Sequence, residues 1–151
     1  MEDKLFFYDE TENDDKLNEK TWDIIIADDD DEIHKVTKLV LGDESFEGRK
    51  FNFISAYTGE DTKRILVNNS GAAIILLDVV MEEDDTGLKI AKYIREEMKN
   101  NKIRIILRTG QPGRAPENIV IKDYDINDYK EKTEKKKKKL LTAVLTAIRS
   151  F

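Results

Sequence analysis

An α/β fold, with a doubly wound parallel sheet of five strands and helices on both faces, is what this sequence predicts. Three observations lead there. "WDIIIA" (22–27) is a short β-rich run, and "AAIILLD" (72–78) is a continuous apolar run, as expected of a strand buried on both sides. The segments after them carry apolar residues at helical spacing instead. The two kinds of segment alternate five times along 151 residues, a length that suits one domain.

The first strand starts at Trp22 and ends at a run of five acids, Asp28 to Glu32. "DEIHKVTKLVLG" then places Ile33, Val36, Leu39 and Val40 on one helical face, with Gly42 as a stop signal. "KFNFISAYTG" alternates Phe51 and Phe53 as a second strand, and "EDTKRILVNNSG" is a short helix ending at Gly71. After the third strand, "GLKIAKYIREEMKN" repeats Leu88, Ile90, Ala91, Ile94 and Met98 as a third helix. "IRIILRTG" is the fourth strand, closing on Thr109 and Gly110. "APENIVIKDYDI" is a fourth helix with Pro116 in its first turn, and "NDYKEK" is a polar fifth strand. "LLTAVLTAIRSF" closes the chain as an amphipathic helix burying Leu140, Leu141, Val144, Leu145, Ile148 and Phe151.

Composition narrows the function. There is no cysteine, which removes disulfides and thiolate metal sites, and the single histidine, His34, removes His-rich metal sites. His34 itself reads as a partly exposed helix residue without a chemical role. The net charge is −6, of which residues 1–20 contribute −5 from eight acids and three lysines. Those residues read as an acidic flexible arm ahead of a domain over 21–151. A negative chain is a poor partner for nucleic acid, so no direct nucleic-acid binding is expected. The N-terminus lacks a basic stretch followed by an apolar one, and no apolar run reaches the length of a membrane span. A cytoplasmic location away from the membrane follows as the expectation.

In a parallel sheet the strand ends share one rim, where ligands of such folds bind. Asp28, Asp29, Asp78 and Thr109 meet there, and the fifth strand adds Lys132, chosen over Lys130 by register with "NDY". Asp29 and Asp78 offer two hard oxygen ligands to Mg²⁺, a backbone carbonyl just past Asp78 offers a third, and Asp28 acts through a bound water. A helix cap uses one acid, and Asp28 and Asp29 precede the cap. Asp31 and Glu32 sit where a helix N-terminus favours negative charge. A carboxylate beside Mg²⁺ can also attack phosphorus, which makes Asp78 the candidate nucleophile. Lys132, Thr109 and the amides of Val79 and Gly110 then steady the transferring group.

With these motifs in view, "IIIADDD", "IILLDVVM", "ILRTG" and "NDYKEK" resemble, in order and spacing, the motifs of response-regulator receiver domains of two-component signal transduction. The resemblance spans roughly residues 22–151. It implies a flavodoxin-like strand order 2-1-3-4-5 and a phosphoacceptor, Asp78, that takes its phosphoryl group from a sensor histidine kinase or phosphotransfer protein. It implies Mg²⁺ held by Asp28, Asp29, Asp78 and the carbonyl of Val80, with Thr109 and Lys132 contacting the phosphoryl group. Tyr129 matches the aromatic residue that swings inward with Thr109 on activation. The face formed by the fourth helix, fifth strand and fifth helix is then the switching surface. Such a domain is a signalling part and not an enzyme. It leaves room for a C-terminal output domain and for a homodimer. "LRTGQPGRAPE" and "YDINDYKEKTE" resemble receivers that precede cyclic-dinucleotide phosphodiesterase modules of the HD-GYP type. Thr133 follows Lys132 where receivers commonly have proline, and Gly110 stands where alanine is frequent; neither removes a reacting group.

Two other readings use the same residues. "DDD" at 28–30 also fits the nucleophile motif of haloacid-dehalogenase-like Mg²⁺ phosphatases, although Asp78 on the middle strand then has no role. A receiver-like docking or dimerisation module that no longer uses phosphate is the second.

Overall fold

The computed structural model describes residues 20–109, 128–131 and 137–151. β1 (Trp22–Ala27) lies inside the sheet, parallel to β3 (Arg49–Ala56) on one side and to β4 (Ile74–Asp78) on the other. β5 (Arg104–Thr109) pairs with β4, and β6 (Asp128–Glu131) with β5, both parallel. Ile24, Ile25 and Ile26 are all 0% exposed, so both faces of β1 are covered. The pleat sends Ile24 and Ile26 into one apolar cluster and Ile25 and Ala27 into the other.

The helices divide between those two faces. α1 (Asp31–Leu41) and α4 (Lys137–Ser150) bring Leu41, Val144 and Ile148 against Ile24, Ile26 and Leu76. α2 (Gly59–Asn68) and α3 (Thr86–Lys92) bring Leu66, Ile90 and Ala91 against Ile25, Ile75 and Leu77. This is the doubly wound α/β sheet expected from the alternation of segments.

The strand count needs correction. A sixth strand, β2 (Ser45–Phe46), runs antiparallel to β3 at the edge, so the order among the described residues is β2-β3-β1-β4-β5-β6. The five parallel strands, numbered among themselves, keep the order 2-1-3-4-5. The added strand arises from a two-residue hairpin at Glu47 and Gly48, whose φ angles of 52° and 75° are the positive pair a tight hairpin turn requires. The hairpin closes the end of the sheet remote from the acids: Trp22 Nε1 donates to the Phe46 carbonyl at 2.9 Å, and the Arg49 guanidinium lies 3.7 Å above the Trp22 ring.

Three further expectations change. On α1 the buried residues are His34, Thr37 and Leu41, while Val36 and Leu39 are 51% and 79% exposed. The third helix widens after Lys92 into a π-turn, Tyr93–Glu97, with the Met98 amide donating to the Tyr93 carbonyl at 2.9 Å. Phe151 is 45% exposed, and Ala143 and Ala147 supply part of the buried face of α4 instead. The fourth expected helix and residues 1–19 of the expected arm lie outside the described residues.

Candidate functional site

Strand parity builds the site. Ile24 and Ile26 face the α1–α4 side, so Asp28 continues that row; Leu76 does the same for Asp78, and Ile106 for Arg108. Asp78 and Arg108 are register partners across β4 and β5. The Asp28 amide donates to the Ala56 carbonyl at 3.0 Å, carrying the β1–β3 ladder one residue beyond the strand. The rim therefore presents Asp28, Asp78 and Arg108 side by side.

The acid run separates into distinct local roles. Asp30 is the N-cap of α1, accepting from the Glu32 amide at 3.0 Å, and Asp31 and Glu32 occupy the first turn. Asp28 Oδ1 accepts from the Asp30 amide at 2.9 Å, which fixes its carboxylate on the sheet side of the turn. Asp28 and Asp78 are each 1% exposed, whereas Asp29 is open to solvent. One carboxylate oxygen from each of Asp28, Asp29 and Asp78 lies within 4.8 Å of the others. An all-oxygen donor set of this size, with two members buried, fits a hard divalent cation such as Mg²⁺.

The loop after β4 is held close to Asp78. The Val80 amide donates to Asp78 Oδ1 at 3.2 Å, and the Val79 amide to the Arg108 carbonyl at 3.0 Å. The Gly87 amide donates to the Val79 carbonyl at 2.8 Å, and a β-carbon at Gly87 would lie 2.1 Å from the Asp78 carbonyl oxygen. The start of α3 thus sits directly on the backbone carrying the proposed nucleophile. Glu82 of the acidic "EEDD" stretch accepts from the Gly59 amide at the start of α2, through both oxygens at 3.0 Å.

Three polar residues to which the sequence assigned no part in the site, His34, Tyr57 and Arg108, surround the acids. His34 is 1% exposed, which corrects its expected exposure. Its Nε2 lies 2.8 Å from the Asp28 carbonyl, which can only accept, so Nε2 carries the hydrogen. In the neutral ring Nδ1 then accepts from the Ser55 hydroxyl at 2.9 Å. The Tyr57 ring stacks on His34 at 4.2 Å and its hydroxyl donates to Asp31 at 2.9 Å, which draws the Asp31 carboxyl below its usual pKa. Arg108 is 9% exposed and donates from Nη1 to Thr37 Oγ1 at 2.9 Å. Burial pushes the Arg108 guanidinium down from its usual pKa, and the charges of Asp28 and Asp78 act in the opposite direction.

Of the other expected site residues, Thr109 ends β5, and Tyr129 lies on β6 in register with Leu107. Val80 follows Asp78 by two positions. Lys132, Gly110 and Thr133 lie outside the described residues.

A five-stranded parallel sheet in this order, with acids closing its central strands, is the receiver-domain fold, and comparison with solved structures bears this out. The chain superposes on the N-terminal domain of a response regulator/sensory box/GGDEF three-domain protein from Carboxydothermus hydrogenoformans. The TM-score is 0.68 at 21% identity, covering 84% of this chain and 94% of that one. It likewise superposes on the signal receiver domain of an HD domain-containing protein from Pseudomonas fluorescens Pf-5, with a TM-score of 0.65 at 19% identity, covering 86% and 96%. In sequence it is 41% identical over 134 residues to the 3'3'-cGAMP-specific phosphodiesterase 2 of Vibrio cholerae serotype O1. That match covers 89% of this chain and 26% of the relative, so the chain spans about a quarter of that protein's length. No family model matches the chain. No helix among the described residues is long and apolar enough to cross a membrane.

Proposed function

We propose that this chain is the phosphoacceptor receiver of a two-component pathway, with Asp78 as the acceptor. The observation that carries the reading is the meeting of Asp28, Asp29 and Asp78 oxygens within 4.8 Å at the ends of two adjoining strands. Asp28, Asp29, Asp78 and the carbonyl of Val80 would hold Mg²⁺, which when bound supplies positive charge against the charge on the phosphoryl oxygens.

A carboxylate oxygen of Asp78 attacks the phosphorus of a phosphohistidine on a sensor kinase or phosphotransfer protein. The new P–O bond forms as the P–N bond breaks, and the electron pair stays with the departing imidazole. The Val80 amide, already donating to Asp78 Oδ1, keeps that carboxylate oriented during the approach. Thr109 and Lys132 contact the phosphoryl group once it is in place. Thr109 and Tyr129 then carry the change to the surface made by the fourth expected helix, β6 and α4.

The likeness to about a quarter of a 3'3'-cGAMP-specific phosphodiesterase supports a setting in which the receiver regulates a C-terminal module of that kind. The chain itself then acts as a signalling part and not as a catalyst of turnover, in the cytoplasm where kinases of this kind phosphorylate their partners.

Intact-protein mass after incubation with acetyl phosphate tests the reading. The expected result is a gain of one phosphoryl group that needs Mg²⁺ and is absent in Asp78→Asn. A gain that survives Asp78→Asn on the same peptide would overturn the assignment.

A further inference from the structure

Arg108 interrupts an apolar row. On its face of the sheet the preceding positions are Ile26, Leu76 and Ile106, all at most 1% exposed, and a leucine would continue that packing. A guanidinium stands there instead, 9% exposed, with Asp78 as its register partner and Asp28 one strand further along the rim. Thr37 Oγ1 accepts from Nη1 at 2.9 Å and ties the far end of the side chain to α1, so the charge is held inside the fold. Arginine keeps its charge under such burial where lysine would more readily lose it. Two carboxylates buried beside each other repel, and desolvation strengthens the repulsion. A cation built into the neighbouring strand offsets it.

We propose that Arg108 is a resident counter-cation of the acidic site: it stabilises Asp28 and Asp78 as a charged pair before any metal arrives and lowers the affinity of the site for a divalent cation. The second half rests on the Mg²⁺-binding reading given above; the first half does not.

Loss of the guanidinium has two consequences that simple damage would not give. In EDTA, Arg108→Met lowers the urea midpoint, and the drop is at least about twice as large with Asp78 present as in the Asp78→Asn background. Thr37→Val, which keeps the charge, shows no such dependence on Asp78. Equal drops in the two backgrounds would mean that the guanidinium does not sense the acids, and the proposal would be wrong. If Arg108→Met does not fold, Asp78→Asn is expected to restore folding, and a double variant that stays unfolded is equally fatal.

In a Mg²⁺ titration followed by amide NMR, Arg108→Met binds on the order of three- to tenfold more tightly than the wild type, because a like charge has been removed. Arg108→Lys falls between the wild type and Arg108→Met, because a buried ammonium holds its charge less firmly than a guanidinium. A residue that merely positioned the acids would give weaker binding on removal, so unchanged or weaker binding overturns the second half. If the wild type and Asp29→Ala take up Mg²⁺ alike, the metal-binding reading fails, while the cycle in EDTA still decides the counter-cation.

Discussion

Gly87 shows how closely the fold is fitted around Asp78. A methyl group there would meet the Asp78 carbonyl oxygen at 2.1 Å, and backbone cannot yield as a flexible side chain can. Gly87→Ala is therefore expected to destabilise by about 1–3 kcal/mol in urea unfolding, and to shift the amide resonances of Val79 and Val80. His34→Leu removes the donor to the Asp28 carbonyl and the partner of the Ser55 hydroxyl, both in a buried setting. Its expected loss is about 1–3 kcal/mol, with the largest resonance changes at Asp28 and Asp30. Asp29, by contrast, is exposed, so Asp29→Ala should leave the urea midpoint nearly unmoved. The same change is expected to weaken Mg²⁺ binding by about tenfold or more in an NMR titration.

At the scale of elements, α1 is the clearest departure from the sequence reading. Periodicity put Val36 and Leu39 inward, yet the buried residues are His34, Thr37 and Leu41. The reason lies in what the helix covers. Its N-terminal half packs over the strand ends, where the Asp28 carbonyl and the Arg108 guanidinium need polar partners, and only its last turn reaches the apolar interior. Leu39→Gln should accordingly change stability by less than about 0.5 kcal/mol, whereas Leu76→Ala, inside β4, should lose about 2–5 kcal/mol; paired urea curves would show the contrast. The hairpin at Glu47 and Gly48 was not legible, because a two-residue strand carries too little pattern to stand out in the sequence.

For the whole molecule, the sheet order decides which residues become neighbours. β1 and β4 adjoin, so acids fifty positions apart in the sequence share one rim. A ligand that binds the folded site and not the unfolded chain must raise stability by mass action. With Mg²⁺ at ten times its Kd the increase is about 1.4 kcal/mol. Thermal unfolding with and without Mg²⁺ should show a higher Tm with the ion, and Asp29→Ala should remove most of that difference.

The α/β class, the positions of the five parallel strands and the acids that close the first and third of them are legible in the sequence alone. These are local properties: an apolar run followed by Asp28 or Asp78 carries its own meaning, and the run of helices between strands implies a parallel sheet. The tertiary structure alone decided the inward face of α1, the burial of His34 and the alignment of Arg108 with Asp78. Each of those depends on partners supplied by another element, Thr37 for Arg108 and Ser55 for His34, 71 and 21 positions away. Periodicity within one segment records which residues are apolar, but a polar residue is buried only where a distant group meets its hydrogen bonds or its charge.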